Sequence, residues 1–193
     1  MASQPLPYVT PEEYLRFERD AEFKSEYVDG QVVPITGGTF DHSLIASNTN
    51  FALKSRLATK PCRVCDSSLM VMLRRESSYA YPDVTVVCGK PEFLSPTSET
   101  LVNPKIIVEV LSPTTRNYDL GDKARLYWQI PSLAGLLLVD QDRVWIEYWS
   151  RESGAKWERD VFTDLADAVK IRALDFELPV SEIYAQVEFE EAK

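Results

Sequence analysis

Histidine is nearly missing from this chain, with His42 the only one among 193 residues. A nuclease whose metal needs two histidine ligands is therefore excluded. Cysteine is almost as scarce. Cys62 and Cys65 have the spacing of half a zinc site, but no second pair exists and Cys88 stands apart. Three cysteines cannot complete a disulfide framework, which points to a reducing cytoplasm. No apolar run approaches the roughly 20 residues of a membrane helix. The opening MASQPLPYVTPEEY has neither the basic start nor the apolar centre of a secretory leader. A Gly-rich phosphate loop is absent, as are repeats and low-complexity tracts. Ser112 and the Ser67-Ser68 pair lack a base partner for nucleophilic catalysis. Positive charge is in deficit, with 21 Lys and Arg against 30 Asp and Glu and a net charge of −9. Proteins that bind polyanions usually carry a basic stripe. Here the cations are scattered over Lys54, Arg56, Lys60, Arg74, Arg75, Arg116, Lys123 and Arg125. Part of the acidity is explained if carboxylates cluster around a cation.

What is present suits one domain over residues 1–193, with 45% hydrophobic and 26% charged residues. Thr10-Pro11-Glu12-Glu13 reads as a helix start with a capping box, the helix running to about residue 18. Asp29-Gly30 joins strands over 22–29 and 31–36 as a hairpin. Asp41 is expected to cap a helix reaching about residue 59. Strands are expected over 62–65, 68–73 and 81–88, a loop over 89–103, a strand over 105–111 and a helix over about 118–129. A second hairpin spans 135–140 and 143–149, 156–162 adds a strand, and 178–184 reads as a short helix. This order predicts an α/β (α+β) domain around a mixed sheet.

Two acids stand out against that background. Glu109 is the one charged residue inside the aliphatic run Ile106-Ile107-Val108-Glu109-Val110-Leu111. An ionised carboxylate in a strand covered on both faces needs a partner or a metal. Asp83 follows Pro82 at the mouth of another apolar strand, where a turn aspartate is the simpler reading. An ion pair with an arginine would equally explain Glu109. Together, the two carboxylates can converge on one divalent cation from neighbouring strands. Mg²⁺ commonly takes one or two carboxylates and completes its shell with water and phosphate oxygens.

Pro82-Asp83 followed by Glu109-Val110-Leu111 and then a helix resembles the PD-(D/E)XK nuclease superfamily. The blocks TPEEYL, SEYVDG, YPDVTVV, IIVEVLSPTT and DLGDKARLY, in this order from residue 10 to about 185, resemble the Uma-two family of restriction endonucleases. The resemblance implies a restriction-endonuclease-like mixed sheet flanked by helices, Mg²⁺ (or Mn²⁺ in its place) and hydrolysis of phosphodiesters in nucleic acid, DNA first. It implies Asp83 and Glu109 as metal ligands. The superfamily's lysine two residues after the glutamate is Leu111 here, and the family's lysine on the next helix corresponds to Lys123. Glu26 and His42 match further family positions near the site. Asp119 and Tyr127, four residues either side of Lys123, can orient its amine. Two other functions fit the composition: a non-catalytic module that keeps the fold and binds nucleic acid or protein, and a phosphodiesterase for a small nucleotide. A homodimer is expected, because duplex cutters often act as symmetric pairs. The Trp-rich stretch 143–149 would also expose an apolar face unless something covers it.

Overall fold

A computed structural model describes residues 8–74, 77–152 and 156–189; the first seven residues and Arg75, read above, lie outside them. The capping box at Thr10 forms as expected and starts α1 (Pro11–Asp20). β1 (Ser25–Val28) and β2 (Gln31–Pro34) are joined through Asp29 and Gly30, whose φ values of 46° and 90° are those of a tight hairpin turn. α2 (Phe40–Leu57) is capped by Thr39 rather than Asp41: the Thr39 hydroxyl accepts from the His42 N–H at 3.1 Å. Thr39 is the residue with extended backbone, as a cap requires, whereas Asp41 is already helical.

Six strands make the central sheet. They are β3 (Cys62–Asp66), β6 (Val84–Cys88), β7 (Ile106–Leu111), β8 (Gly135–Asp140), β9 (Ile146–Ser150) and β10 (Glu158–Phe162), in the order β10-β9-β8-β7-β6-β3. Only β7 and β8 run parallel, and the helical segment between them supplies the crossover such a pair needs. β4 (Val71–Arg74) and β5 (Ser78–Ala80) join β1 and β2 in a second sheet, ordered β2-β1-β5-β4. β11 (Ala168–Ile171) and β12 (Phe176–Pro179) form a hairpin absent from the sequence reading, so the expected helix over 178–184 shrinks to α5 (Val180–Ile183).

The crossover departs most from expectation. In place of one regular helix there is a single turn, α3 (Arg116–Tyr118), then a wide π-helical turn over Asp119–Lys123, then α4 (Ala124–Tyr127).

β7 is buried along its whole length and divides the core. Ile106, Val108 and Val110 pack with Ile45 and Leu53 of α2, whereas Ile107 and Leu111 pack with Ala124 and Tyr127 of α4. Side chains alternate along a strand, so Glu109 belongs to the α4 face.

One reading is corrected by the strand register. Cys88, expected to stand alone, pairs directly opposite Cys62 on β3, and the two form a disulfide, leaving Cys65 free. The apolar face of the Trp-rich strand is covered from within the chain, with Trp149 4.6 Å from the ring of Trp128 and both in the cluster that includes Trp157. That face therefore gives no reason for a second copy. Among the described residues, no helix is long and apolar enough to cross a membrane.

Candidate active site

β6 and β7 pair antiparallel from Val86↔Ile106 to Val84↔Val108, and there the pairing ends. Continuing the register by one residue sets Asp83 across from Glu109. The ladder is closed there by a side chain: the Val110 N–H donates to Asp83 Oδ2 at 2.7 Å. Asp83 therefore satisfies a backbone donor that would otherwise be stranded at the split between two strands. Its other oxygen, Oδ1, lies 3.0 Å from Nε2 of His42, which the first turn of α2 carries. This contact is the main reason the His42 pKa is raised, with burial working the other way. Nδ1 of His42 is buried without a hydrogen-bond partner among the described residues.

Glu109 is 5% exposed, and its charge is managed by two donors on one oxygen. The Tyr127 hydroxyl donates to Oε1, and Lys123 Nζ lies 2.9 Å from the same atom. Lys123, itself 5% exposed, is also 2.8 Å from Glu26 Oε1 on β1 and 3.7 Å from Asp119 Oδ1. Burial pushes the Glu109 carboxyl up to about 8; the Lys123 charge opposes this, while Asp83, Asp119 and Glu26 reinforce it. Burial also raises Asp119. Lys123 goes the other way from an isolated buried amine: desolvation is outweighed by Glu109, Tyr127, Glu26 and Asp119, so its pKa rises and it stays an ammonium.

The wide turn helps explain how one helix can present Asp119, Lys123 and Tyr127 together. In an α-helix each residue advances about 100°, so a step of four overshoots a full turn by about 40° and two steps drift by about 80°. A turn closed by i→i+5 bonds takes more residues per revolution and cancels part of that drift. All three side chains end up buried, with Lys123 and Tyr127 both on Glu109.

All five residues expected at the site thus come together: Asp83, Glu109 and Lys123, with Glu26 reaching in from β1 and His42 from α2. The donor set fits a hard divalent cation. Asp83 and Glu109 are the two carboxylates, and no group of three or more His, Cys, Asp or Glu in ligating arrangement occurs among the described residues. Mg²⁺ commonly takes no more than two carboxylates beside water, and Mn²⁺ suits the same oxygen ligands. The charge balance agrees. Glu26, Glu109 and Asp119 are gathered around one ammonium, and the neighbouring acids, Asp83 among them, add to burial in raising the Glu109 carboxyl.

Sequence reasoning missed the supports. Gln141, just past β8, receives the Thr39 hydroxyl on Oε1 at 3.3 Å and donates its own N–H to the Leu111 carbonyl at 3.3 Å, tying the start of α2 to the end of β7. Tyr118 is pushed up to about 12 by burial and by Glu26. Thr39, three residues before His42, carried the capping signal; nothing in the sequence marks Gln141.

The profile of the Uma2 family, described as "putative restriction endonuclease", matches residues 11–181. Uncharacterized protein slr1290 of Synechocystis sp. (strain ATCC 27184 / PCC 6803 / Kazusa) is 32% identical over 187 residues, covering 97% of each chain. Uncharacterized protein sll1609 of the same strain is 30% identical over 149 residues, 77% of this chain and 84% of its own. A crystal structure described as "a putative nuclease belonging to DUF820" from Anabaena variabilis ATCC 29413 superposes with a TM-score of 0.76, covering 93% of this chain and 99% of that one. At 18% identity that likeness concerns the fold, which is the restriction-endonuclease-like mixed sheet flanked by helices. With a family profile running from the first helix to α5 and two relatives matching at 30% identity or more, this chain belongs to the Uma2 family.

Proposed function

We propose that the protein is a divalent-metal-dependent endonuclease that hydrolyses phosphodiester bonds in DNA. The observation that carries this reading is the meeting of Asp83, Glu109, Lys123, Glu26 and His42, from segments far apart in sequence, on one spot where two strands separate. Asp83 and Glu109 would hold Mg²⁺, with Mn²⁺ a chemically similar substitute. Such an ion, when bound, supplies an activated water and offsets phosphodiester charge.

The chain's own residues have separable tasks. The Tyr127 hydroxyl and the Lys123 ammonium hold Glu109 in one orientation. Lys123 has three donors; Glu26 and Glu109 occupy two of them, which leaves one for a phosphate oxygen. His42, drawn toward its charged form by Asp83, is placed to bind a phosphate oxygen or to pass a proton to the leaving oxygen. For both strands of a duplex to be cut, two copies would act as a pair.

The test is a screen of single- and double-stranded DNA and RNA with Mg²⁺ or Mn²⁺, run beside Asp83→Asn. Cleavage of DNA by the wild type that the variant lacks supports the proposal. No cleavage of any substrate with either ion, or equal cleavage by the variant, removes it. A non-catalytic module would in addition show no specific Mg²⁺ binding by calorimetry.

A further inference from the structure

We propose that the cleft along α2 is a track for one unpaired strand of nucleic acid, feeding the site from the His42 side; this rests on the nuclease reading and names the form of substrate it takes. The cleft has a volume of about 640 Å³ and opens directly on His42 and Asp83. One of its walls is a face of α2 built in lanes four residues apart. His42, Ala46, Asn50 and Lys54 form one lane, and Ser43, Ser47 and Phe51 the next. From His42 to Lys54 the face runs about 18 Å, at 1.5 Å per residue.

The chemistry along that face is what a single strand requires. Phe51 is 73% exposed, and Phe40, at the head of the same outer stripe, is 79% exposed. A large ring left this bare in water is a stacking platform for a base, which an unpaired strand can present and a duplex keeps inside. Between the rings lie Ser43, Ser47 and Asn50, short hydrogen-bonding groups rather than apolar ones. Such a mixture is poorly suited to a packed protein interface, whose core is depleted in serine. Lys54 stands exposed at the far end. Lys24 flanks the cleft, held there by the Ser67 carbonyl at 2.9 Å and by the ring of Tyr81 at 5.2 Å. In a chain of net charge −9, two lysines on one cleft are local recruits for phosphate. Of the two acids on the cleft, Asp83 belongs to the site, and Asp66, the last residue of β3, accepts from the Ser68 N–H at 2.9 Å.

A volume of this size suits a few linked nucleotides. The end of the track meets the site at the imidazole. Gly38 allows this approach, since a Cβ there would lie 2.8 Å from Cδ2 of His42.

Fluorescence anisotropy of labelled oligothymidine of eight residues, with EDTA present, tests the track without chemistry. The wild type is expected to bind it more tightly than a duplex of the same length. Phe51→Ala and Lys54→Ala, both at exposed positions, are each expected to weaken binding about tenfold. Unchanged affinity in both variants, or no binding by the wild type, overturns the proposal. So does light scattering in which Phe51→Ala dissociates an oligomer while oligothymidine affinity stays the same, since the stripe would then belong to a second copy. If no nucleic acid is cleaved with any metal but the two variants still lose binding, the nuclease reading fails and the track stands. If cleavage occurs while both variants bind normally, the reverse holds.

Discussion

Lys123 and Tyr127 converge on the same oxygen of Glu109: the ammonium lies 2.9 Å from Oε1, and the phenol donates to it. The carboxylate that would hold the cation is thus already held by the helical crossover that follows its strand.

Removing that ammonium is expected to hurt twice. Lys123→Ala should lower the cleavage rate by roughly 10²–10³, the usual loss when one charge-stabilising donor goes. It should also destabilise the fold by about 3–5 kcal/mol, because buried Glu26 loses its ammonium and buried Glu109 keeps only the Tyr127 hydroxyl. Adding Leu111→Lys, on the same strand face as Glu109, should restore part of the activity. Single-turnover cleavage and urea melts measure the two effects separately. A fully active, fully stable Lys123→Ala protein would contradict both.

Asp83 also has two roles, and its substitutions should separate them. Asp83→Asn keeps an amide oxygen for the Val110 N–H and should lose Mg²⁺ binding and cleavage with little change in melting temperature. Asp83→Ala leaves that N–H unpaired and should cost about 1–3 kcal/mol besides. Equal melting curves for the two variants would argue against the hydrogen bond as a closure of the sheet.

The cation should compete with a proton. With the Glu109 carboxyl raised to about 8, the metal-free protein holds a proton there at neutral pH. Mg²⁺ affinity is then expected to rise with pH, by up to tenfold per unit well below 8, and to flatten above it. Because the folded state binds this proton more tightly than the unfolded chain, the group stabilises the metal-free fold near pH 4.5 and that contribution is lost as pH rises through 8. Calorimetry in buffers of different ionisation enthalpy would count the released proton. Glu109→Gln should abolish both trends, and a pH-independent Mg²⁺ affinity in the wild type would refute the argument.

The Cys62–Cys88 link closes a loop of sequence separation 26 at the edge of the central sheet. Its reduction is expected to lower stability by about 3 kcal/mol through the entropy of the unfolded chain. The site, at the opposite end of β6 from Cys88, should keep its Mg²⁺ affinity. Denaturation with and without dithiothreitol, followed by Mg²⁺ titration of the reduced protein, checks each half.

Much of this architecture was legible in the sequence because it obeys short-range rules. The Thr10 capping box, the Asp29-Gly30 turn and the aliphatic run around Glu109 each signal their own local structure. Glu109 and Asp83 were visible as acids in apolar surroundings. Other features depend on partners remote in sequence. The pairing of Cys62 with Cys88 is fixed by register between β3 and β6, and the bond from Thr39 to Gln141 joins residues that only the folded sheet brings together. The β11–β12 hairpin was read partly as helix because Val180 and Ile183 do lie at helical spacing and the strand before them is only four residues long. The π turn was hidden for a different reason: its sequence, DLGDK, fits an ordinary helix.

That turn makes residue identity, rather than spacing, the inheritance this site has to keep. Deleting any one residue between Asp119 and Lys123 would let the segment relax to a regular α-helix, a change that local hydrogen bonding would welcome. Because a π turn holds more residues per revolution than an α turn, that deletion would leave Lys123 and everything downstream facing nearly as before. Among descendants of such a gene, the acid and the lysine could therefore stand three or four positions apart and still meet at Glu109.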